Sequence, residues 1–366
     1  MKVGIIFGTR PEAIKVAPVY KELKNSSIEV KAIVTGQHQE MLYQVLDLFK
    51  LTPDYDLKIM KEGQTLSELT GKLVQQLDII LKKEKFDYIL VQGDTTSAFV
   101  GALAAFYNKI PIGHIEAGLR TGNIYSPFPE EANRKLIGTV TDVHFAPTER
   151  NVENLLKENY SKEKIFKVGN TVIDALLWIK KNKVKNIEDI KTKYGVENKK
   201  YILLTLHRRE NWGKPMENIF EAIRDYLEKN KGLYLVFPMH LNPLVREIAY
   251  NKLKEFDRKI LLEPLDYLEF IAILDGAHYI MTDSGGVQEE APTLGKPTLV
   301  LRDTTERPEA IEAGTAKLVG TEYNNIIKYM TLLEGELYKK MSQSNNPYGD
   351  GKTSEKIREY FQNISK

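Results

Sequence analysis

The chain has no cysteine among its 366 residues. Disulfide staples, thiolate metal sites and a cysteine nucleophile are therefore excluded. It also has almost no net charge, since 52 Lys and Arg against 50 Asp and Glu leave a formal +2. A protein that holds nucleic acid or an anionic membrane through bulk charge needs a basic excess, so neither partner is expected. No stretch approaches the ~20 apolar residues needed to cross a bilayer. The opening Met1-Lys2-Val3-Gly4-Ile5-Ile6-Phe7 has too short an apolar run for a signal peptide. It reads as a buried strand, and a cytoplasmic location is expected. No G-x-G-x-x-G follows a strand and no G-x-x-x-x-G-K-[ST] occurs, which removes the dinucleotide fingerprint and the P-loop. The histidines, His38, His114, His144, His207, His240 and His278, lack paired ligand spacing, and Asp54-Tyr55-Asp56 resembles a metal motif only superficially, so no metal is expected.

What remains is an ordinary globular composition, 42% apolar and 28% charged. At roughly 150 residues per domain the length predicts two domains or one unusually large one. Short apolar runs alternate with amphipathic segments throughout. Strands are expected at Val3–Phe7, Val30–Thr35, Tyr88–Gln92, Ile112–Ile115, Val143–Ala146 and Ile165–Val168, then at Tyr201–Leu206, Leu233–Pro238, Ile260–Leu262, Tyr279–Thr282, Thr298–Leu301 and Lys317–Val319. Between them, Leu66, Leu69, Leu73, Leu77 and Ile80 recur at helical spacing behind a Thr65/Glu68 capping box. This alternation predicts parallel sheets covered by helices, an α/β protein of two doubly wound Rossmann-like domains. The first domain is expected to span 1–169, with a helix near 353–366 packing back on it, and the second 170–352, with Gly169-Asn170-Thr171 as the hinge. The charged stretch Lys180–Lys200 reads as a solvated face.

The polar clusters fall just after the strands: Gly8-Thr9-Arg10-Pro11-Glu12, Gly36-Gln37-His38, Gly93-Asp94-Thr95-Thr96 and Glu116-Ala117-Gly118-Leu119-Arg120 in the first half. The second half has His207-Arg208-Arg209-Glu210-Asn211, His240-Leu241-Asn242-Pro243, Asp283-Ser284-Gly285-Gly286 and Arg302 to Arg307. Ligands bind beyond the carboxyl ends of parallel strands, so two such rims predict a cleft between the domains. Ser284, Gly285 and Gly286 open a helix and offer backbone N–H groups to an anion. Glu290 is placed to accept from ribose hydroxyls and Arg10 to pair with phosphate. Asp94 and Glu116 are either ligand-facing acids or caps. Glu130-Glu131 is either an acid pair or the acidic first turn of a helix. Arg208 and Arg209 beside His207 disfavour its protonation.

These motifs, with Gln92-Gly93-Asp94-Thr95-Thr96, His114 to Gly122, Pro129-Glu130-Glu131, Asp283 to Pro292, Arg302 to Glu309 and the terminal Asn346 to Gly351, resemble in order those of the non-hydrolysing UDP-N-acetylglucosamine 2-epimerases. The resemblance implies a GT-B architecture and interconversion of UDP-N-acetylglucosamine (UDP-GlcNAc) and UDP-N-acetylmannosamine (UDP-ManNAc), supplying ManNAc for surface polysaccharides. It implies a homodimer needing neither NAD nor metal. Carried over by position, it gives Asp94, Glu116, Glu130 and His207 catalytic roles and Lys15 a supporting one. UDP or sugar falls to Arg10, Lys15, Arg134, His207, Ser284, Gly285, Gly286, Glu290 and Arg307, with uracil against Pro264–Phe270. Many bacterial members carry a second, regulatory UDP-GlcNAc, matched here by Gln37, His38, Arg208 and His240. Glu40 stands where Gln is usual and Gly63 where Arg is usual, so weak or absent activation is expected. The rival activities are a GT-B glycosyltransferase and a hydrolysing epimerase that releases free ManNAc.

Overall fold

The computed structural model describes residues 1–36, 39–61 and 63–365. The chain forms two compact units, Met1–Trp178 with the C-terminal segment from Tyr348, and Ile179–Pro347. The first passage between them lies inside the helix Thr171–Asn182. Trp178 packs on Phe49 with the rings tilted by 40° and their centres 5.0 Å apart, and the Lys21 ammonium lies 4.6 Å from the Trp178 ring centre. Those contacts tie the helix's first two turns to the first unit.

The first unit carries β1 (Lys2–Phe7), β2 (Glu29–Val34), β3 (Tyr55–Asp56), β4 (Tyr88–Gln92), β5 (Ile112–Ile115), β6 (Val143–Ala146) and β7 (Ile165–Lys167). All pair in parallel, in the order β3-β2-β1-β4-β5-β6-β7. The second unit repeats the plan with β8 (Lys200–Thr205), β9 (Leu233–Pro238), β10 (Lys259–Leu262), β11 (Tyr279–Thr282), β12 (Thr298–Val300) and β13 (Ala316–Leu318), ordered β10-β9-β8-β11-β12-β13. Each is a Rossmann-type order, with its reversal point between the first and fourth strands of the sheet. Continuous apolar strands follow from burial on both faces: Val3, Ile5, Ile6 and Phe7 in β1 and Ile202, Leu203 and Leu204 in β8 are all fully covered.

Strand β3 has no counterpart among the expected strands, because its two residues contain no apolar run. It forms beside Ile33 and Val34 of β2, and Asp54 anchors it by accepting the Ala32 N–H at 2.9 Å. The charged stretch after residue 180, read as a solvated face, is partly helical. It contains the helix Val184–Lys193, held by buried Ile187 and by a Lys191–Asp275 ion pair at 3.0 Å. Among the described residues no helix is long and apolar enough to cross a membrane.

Candidate active site

In the first unit the chemistry gathers where β1, β4 and β5 end. Thr9 caps the helix Arg10–Lys24 in a capping box with Glu12. Glu12 is buried, and its carboxylate accepts from the Gly8 and Thr9 N–H groups, the Thr9 hydroxyl and, across to the next loop, the Thr95 hydroxyl. Burial pushes its pKa up against those hydrogen bonds. Thr95 in turn caps the helix Thr96–Tyr107, which fixes the turn carrying Asp94. Gly8 must be glycine: an added Cβ would lie 2.0 Å from the Thr35 hydroxyl and 2.5 Å from that of Ser97.

Arg134 holds Asp94 through one oxygen, Oδ2, at 2.8 Å from Nε and 2.7 Å from Nη2, while Asn133 Nδ2 donates to the Asp94 backbone carbonyl. Arg134 also grips Glu131 at 2.9 Å. Glu131 is fully buried and takes the Gly122 N–H as well. Burial pushes the Glu131 pKa up, but Arg134 and the backbone donors outweigh it and hold the carboxyl below its ordinary range. The Glu130-Glu131 pair therefore divides: Glu131 is a buried anchor, and Glu130, partly exposed, opens the helix Glu130–Val140. Arg134, given to the ligand by the resemblance, spans these two carboxylates.

Glu116 follows β5 in a left-handed conformation, φ +66°. Lys15 and Asn170 (3.3 Å) donate to its Oε1 and Gln92 to Oε2. Asn170 also sits where the chain begins its passage to the second unit, its N–H 2.7 Å from the Tyr348 carbonyl. Gly93 beside it adopts φ +70°, the left-handed region that favours glycine, while an added Cβ would meet Glu116 Oε2 only in ordinary contact at 3.7 Å. Arg10 is partly exposed, with Nη1 3.9 Å from Met41 Sδ.

In the second unit the site lies where β8 and β11 end. Asp283 is fully buried and accepts from the His207 ring at 2.9 Å, the His207 and Arg208 N–H groups at 3.0 and 2.9 Å, and Asn211 Nδ2 at 3.0 Å. Burial raises its pKa, but these donors prevail and keep it below the ordinary carboxylate range. The charge touching the His207 ring is thus a carboxylate, whereas chain neighbours alone point to Arg208 and Arg209. Ser284 precedes the short helix Gly285–Glu290, in which Glu290 is buried and accepts from the Tyr267 hydroxyl at 2.7 Å. Arg307 bonds Glu289 at 2.5 Å, and Glu306 lies 3.6 Å from Arg208 and 3.4 Å from Arg302. Burial lifts the Glu306 pKa, yet Arg208 and Arg302 bring it below its ordinary range. Phe270 lies on the helix Tyr267–Gly276 and Pro264 is exposed just before it.

Of the residues assigned to the second ligand, Gln37 and His38 lie outside the described residues. His240 is exposed, its ring 6.5 Å from that of His207. Arg208 has a buried Nε with no hydrogen-bond partner among the described residues. Gly63 adopts φ +71°, a conformation unfavourable to arginine. No group of three or more His, Asp or Glu among the described residues is arranged to hold a metal ion. Two organising residues escape the sequence reading, Glu12 and Asp283. Each is an acid inside a motif that was noticed, but the donors that define its role converge from loops distant in sequence.

A family model for UDP-N-acetylglucosamine 2-epimerase matches residues 21–362. The UDP-N-acetylglucosamine 2-epimerase of Bacillus subtilis (strain 168) is 53% identical over 362 residues, covering 98% of this chain and 94% of that protein. The crystal structure of UDP-GlcNAc 2-epimerase from Neisseria meningitidis bound to UDP-GlcNAc is 50% identical, with a TM-score of 0.89, and covers 99% of this chain and 100% of that one. The Methanocaldococcus jannaschii enzyme in complex with UDP-GlcNAc and UDP is 38% identical, with a TM-score of 0.81 and the same coverage of 99% and 100%.

Proposed function

The chain belongs to the UDP-N-acetylglucosamine 2-epimerase family, with a GT-B-like pair of Rossmann units, and from that premise we propose how it inverts carbon 2 of UDP-GlcNAc to give UDP-ManNAc. The C2 proton is not next to a carbonyl, so a carboxylate alone removes it too slowly. Departure of UDP from C1 gives that carbon oxocarbenium character and acidifies the C2–H bond. Loss of UDP and the proton leaves 2-acetamidoglucal. Re-addition of UDP to C1, with a proton delivered to the opposite face of C2, completes the inversion. Every bond broken is remade and no electrons leave the system, so the route needs no NAD, and cationic side chains and N–H dipoles can carry the leaving-group charge without a metal.

The observation that carries this reading is the pair of carboxylates, Asp94 and Glu116, at the ends of adjacent strands β4 and β5, each in contact with a cationic side chain. They are the proton-handling groups, with Glu130 and His207 assisting. Lys15, Arg10, Ser284, Gly285, Gly286 and Arg307 serve the diphosphate, Glu290 the ribose, and Pro264 and Phe270 the uracil. Buried Glu290, already oriented by Tyr267, suits a ribose acceptor. Arg134 positions Asp94. The reading includes a cytoplasmic enzyme supplying ManNAc units for polysaccharide. It also includes a homodimer, supported by Ile79, Phe106 and Tyr107, which are more than half exposed on two packed helices of the first unit.

Incubation with UDP-GlcNAc in deuterated water, without acceptor, NAD or added metal, gives UDP-ManNAc carrying deuterium at C2. Free ManNAc as the product would identify a hydrolysing enzyme, and unchanged substrate a transferase. A second expectation concerns activation. Glu40 adds an anion on the first turn of the helix Gln39–Phe49, and Gly63 supplies no cation. Initial velocity in the UDP-ManNAc-to-UDP-GlcNAc direction therefore starts without a lag and responds weakly to added UDP-GlcNAc. A dead reaction restored by traces of UDP-GlcNAc contradicts this.

A further inference from the structure

We propose that Asp283 is a positioning residue that locks His207 in the Nδ1–H tautomer, leaving the Nε2 lone pair free for use in the reaction. The inference rests on the reading above that His207 takes part in the chemistry.

An ionised carboxylate only accepts. Asp283 Oδ1 lies 2.9 Å from His207 Nδ1, so the ring nitrogen facing it must carry hydrogen. A neutral imidazole has one N–H, and placing it on Nδ1 leaves Nε2 bare. Nε2 has no hydrogen-bond partner among the described residues, and the side chain is 41% exposed. Nothing else competes for the position of the carboxylate. Its second oxygen, Oδ2, collects three donors, the Arg208 N–H at 2.9 Å, Asn211 Nδ2 at 3.0 Å and the His207 N–H at 3.0 Å, the last shared with Oδ1 at a longer 3.2 Å. Asn211 is itself braced by donating to the Leu301 carbonyl at 3.1 Å. Asp283 follows β11 directly, and the backbone that it grips follows β8, so strand pairing sets the distance between acid and imidazole.

The asymmetry of the two oxygens makes the proposal testable by one atom. In Asp283→Asn the amide oxygen must take the Oδ2 position, where three donors point. The amide NH2 then faces His207 Nδ1. Two donors cannot share that contact, so the imidazole must present a lone pair there and move its hydrogen to Nε2. The variant keeps the size and shape of the side chain but inverts the tautomer, the effect seen when the aspartate of a Ser-His-Asp triad becomes asparagine.

The experiment is nitrogen NMR of the full-length enzyme labelled with 15N-histidine, with His207 assigned by the signals lost in His207→Gln. The neutral wild-type ring shows a protonated Nδ1 and a bare Nε2, and Asp283→Asn shows the reverse. In the same variant kcat for epimerisation falls by at least about tenfold, while KM for UDP-GlcNAc hardly moves. A wild-type ring protonated on Nε2 overturns the proposal, and so does an inverted tautomer with undiminished kcat. Should Asp283→Asn not fold, the wild-type spectrum still decides the tautomer. His207→Gln separates the two layers. Undiminished turnover there removes His207 from the chemistry, and with it the positioning role, whatever the spectrum shows.

Discussion

Asp94→Asn and Glu116→Gln each lower kcat by about 100-fold or more, the usual cost of removing a group that transfers a proton in the transition state. Both replacements keep the volume and most of the hydrogen bonds, so the loss reports chemistry. At position 94 the amide oxygen still accepts from Arg134, which remains neutralised by buried Glu131. At position 116 the amide oxygen takes the place of Oε1, facing Lys15 and Asn170, and the amide nitrogen faces Gln92. Gln92 can rotate its own amide to present oxygen, which restores the contact. Affinity for UDP, measured calorimetrically, stays close to wild type, because most groups assigned to the nucleotide belong to the second unit. Turnover near wild type in either variant removes that carboxylate from the mechanism. The C2 deuterium assay sharpens the result, since a variant that still binds UDP-GlcNAc but no longer washes deuterium in has lost the proton step.

What the sequence discloses about this site follows its chemistry unevenly. Strands β1, β4, β8 and β11 are legible because parallel strands buried on both faces must be apolar throughout. Strand β3 is not, because a two-residue edge is made by its neighbour and by Asp54. The acids at strand ends can be found from chain order alone, since ligands collect there. Their partners cannot. Arg134 is 40 positions from Asp94, Lys15 is 101 from Glu116, and Asp283 is 76 from His207. Each pairing depends on which strands become neighbours, a property of the whole sheet. The same distance hides the division of labour between Glu130 and Glu131. Adjacent in sequence, they differ by about a third of a turn around the helix, enough to turn one toward Arg134 beneath and leave the other at the surface.

Stability falls steeply between pH 6.5 and pH 4, ahead of ordinary carboxylate titration, because two histidines are folded away as neutral bases. Burial pulls the His114 pKa down to about 4 against its hydrogen bond to the Gly93 carbonyl. Burial, followed by the charges of His114, Arg120 and Lys164, takes His144 down to about 3. The two sit opposite each other on β5 and β6, and His144 packs on Tyr160 at 4.7 Å with neither nitrogen partnered among the described residues. The sign follows from proton counting. Above the unfolded value of about 6.5 both states are neutral and the full stability is present. As pH falls below it, the unfolded chain binds protons that the folded chain refuses, and each histidine withdraws up to about 1.4 kcal/mol per pH unit. By pH 4 that amounts to about 3 kcal/mol per histidine, a large part of an ordinary folding free energy. Buried Glu12 and Asp174, whose raised pKa values favour the folded state in acid, offset part of the loss. The measurement is urea unfolding at pH 7.5, 6.0 and 5.0 for wild type and His144→Leu. Leucine sacrifices no hydrogen bond there, so any packing change is the same at every pH. The variant gains on wild type by about 1.4 kcal/mol per unit once the pH drops below 6.5. Parallel curves would show that His144 takes up its proton while folded.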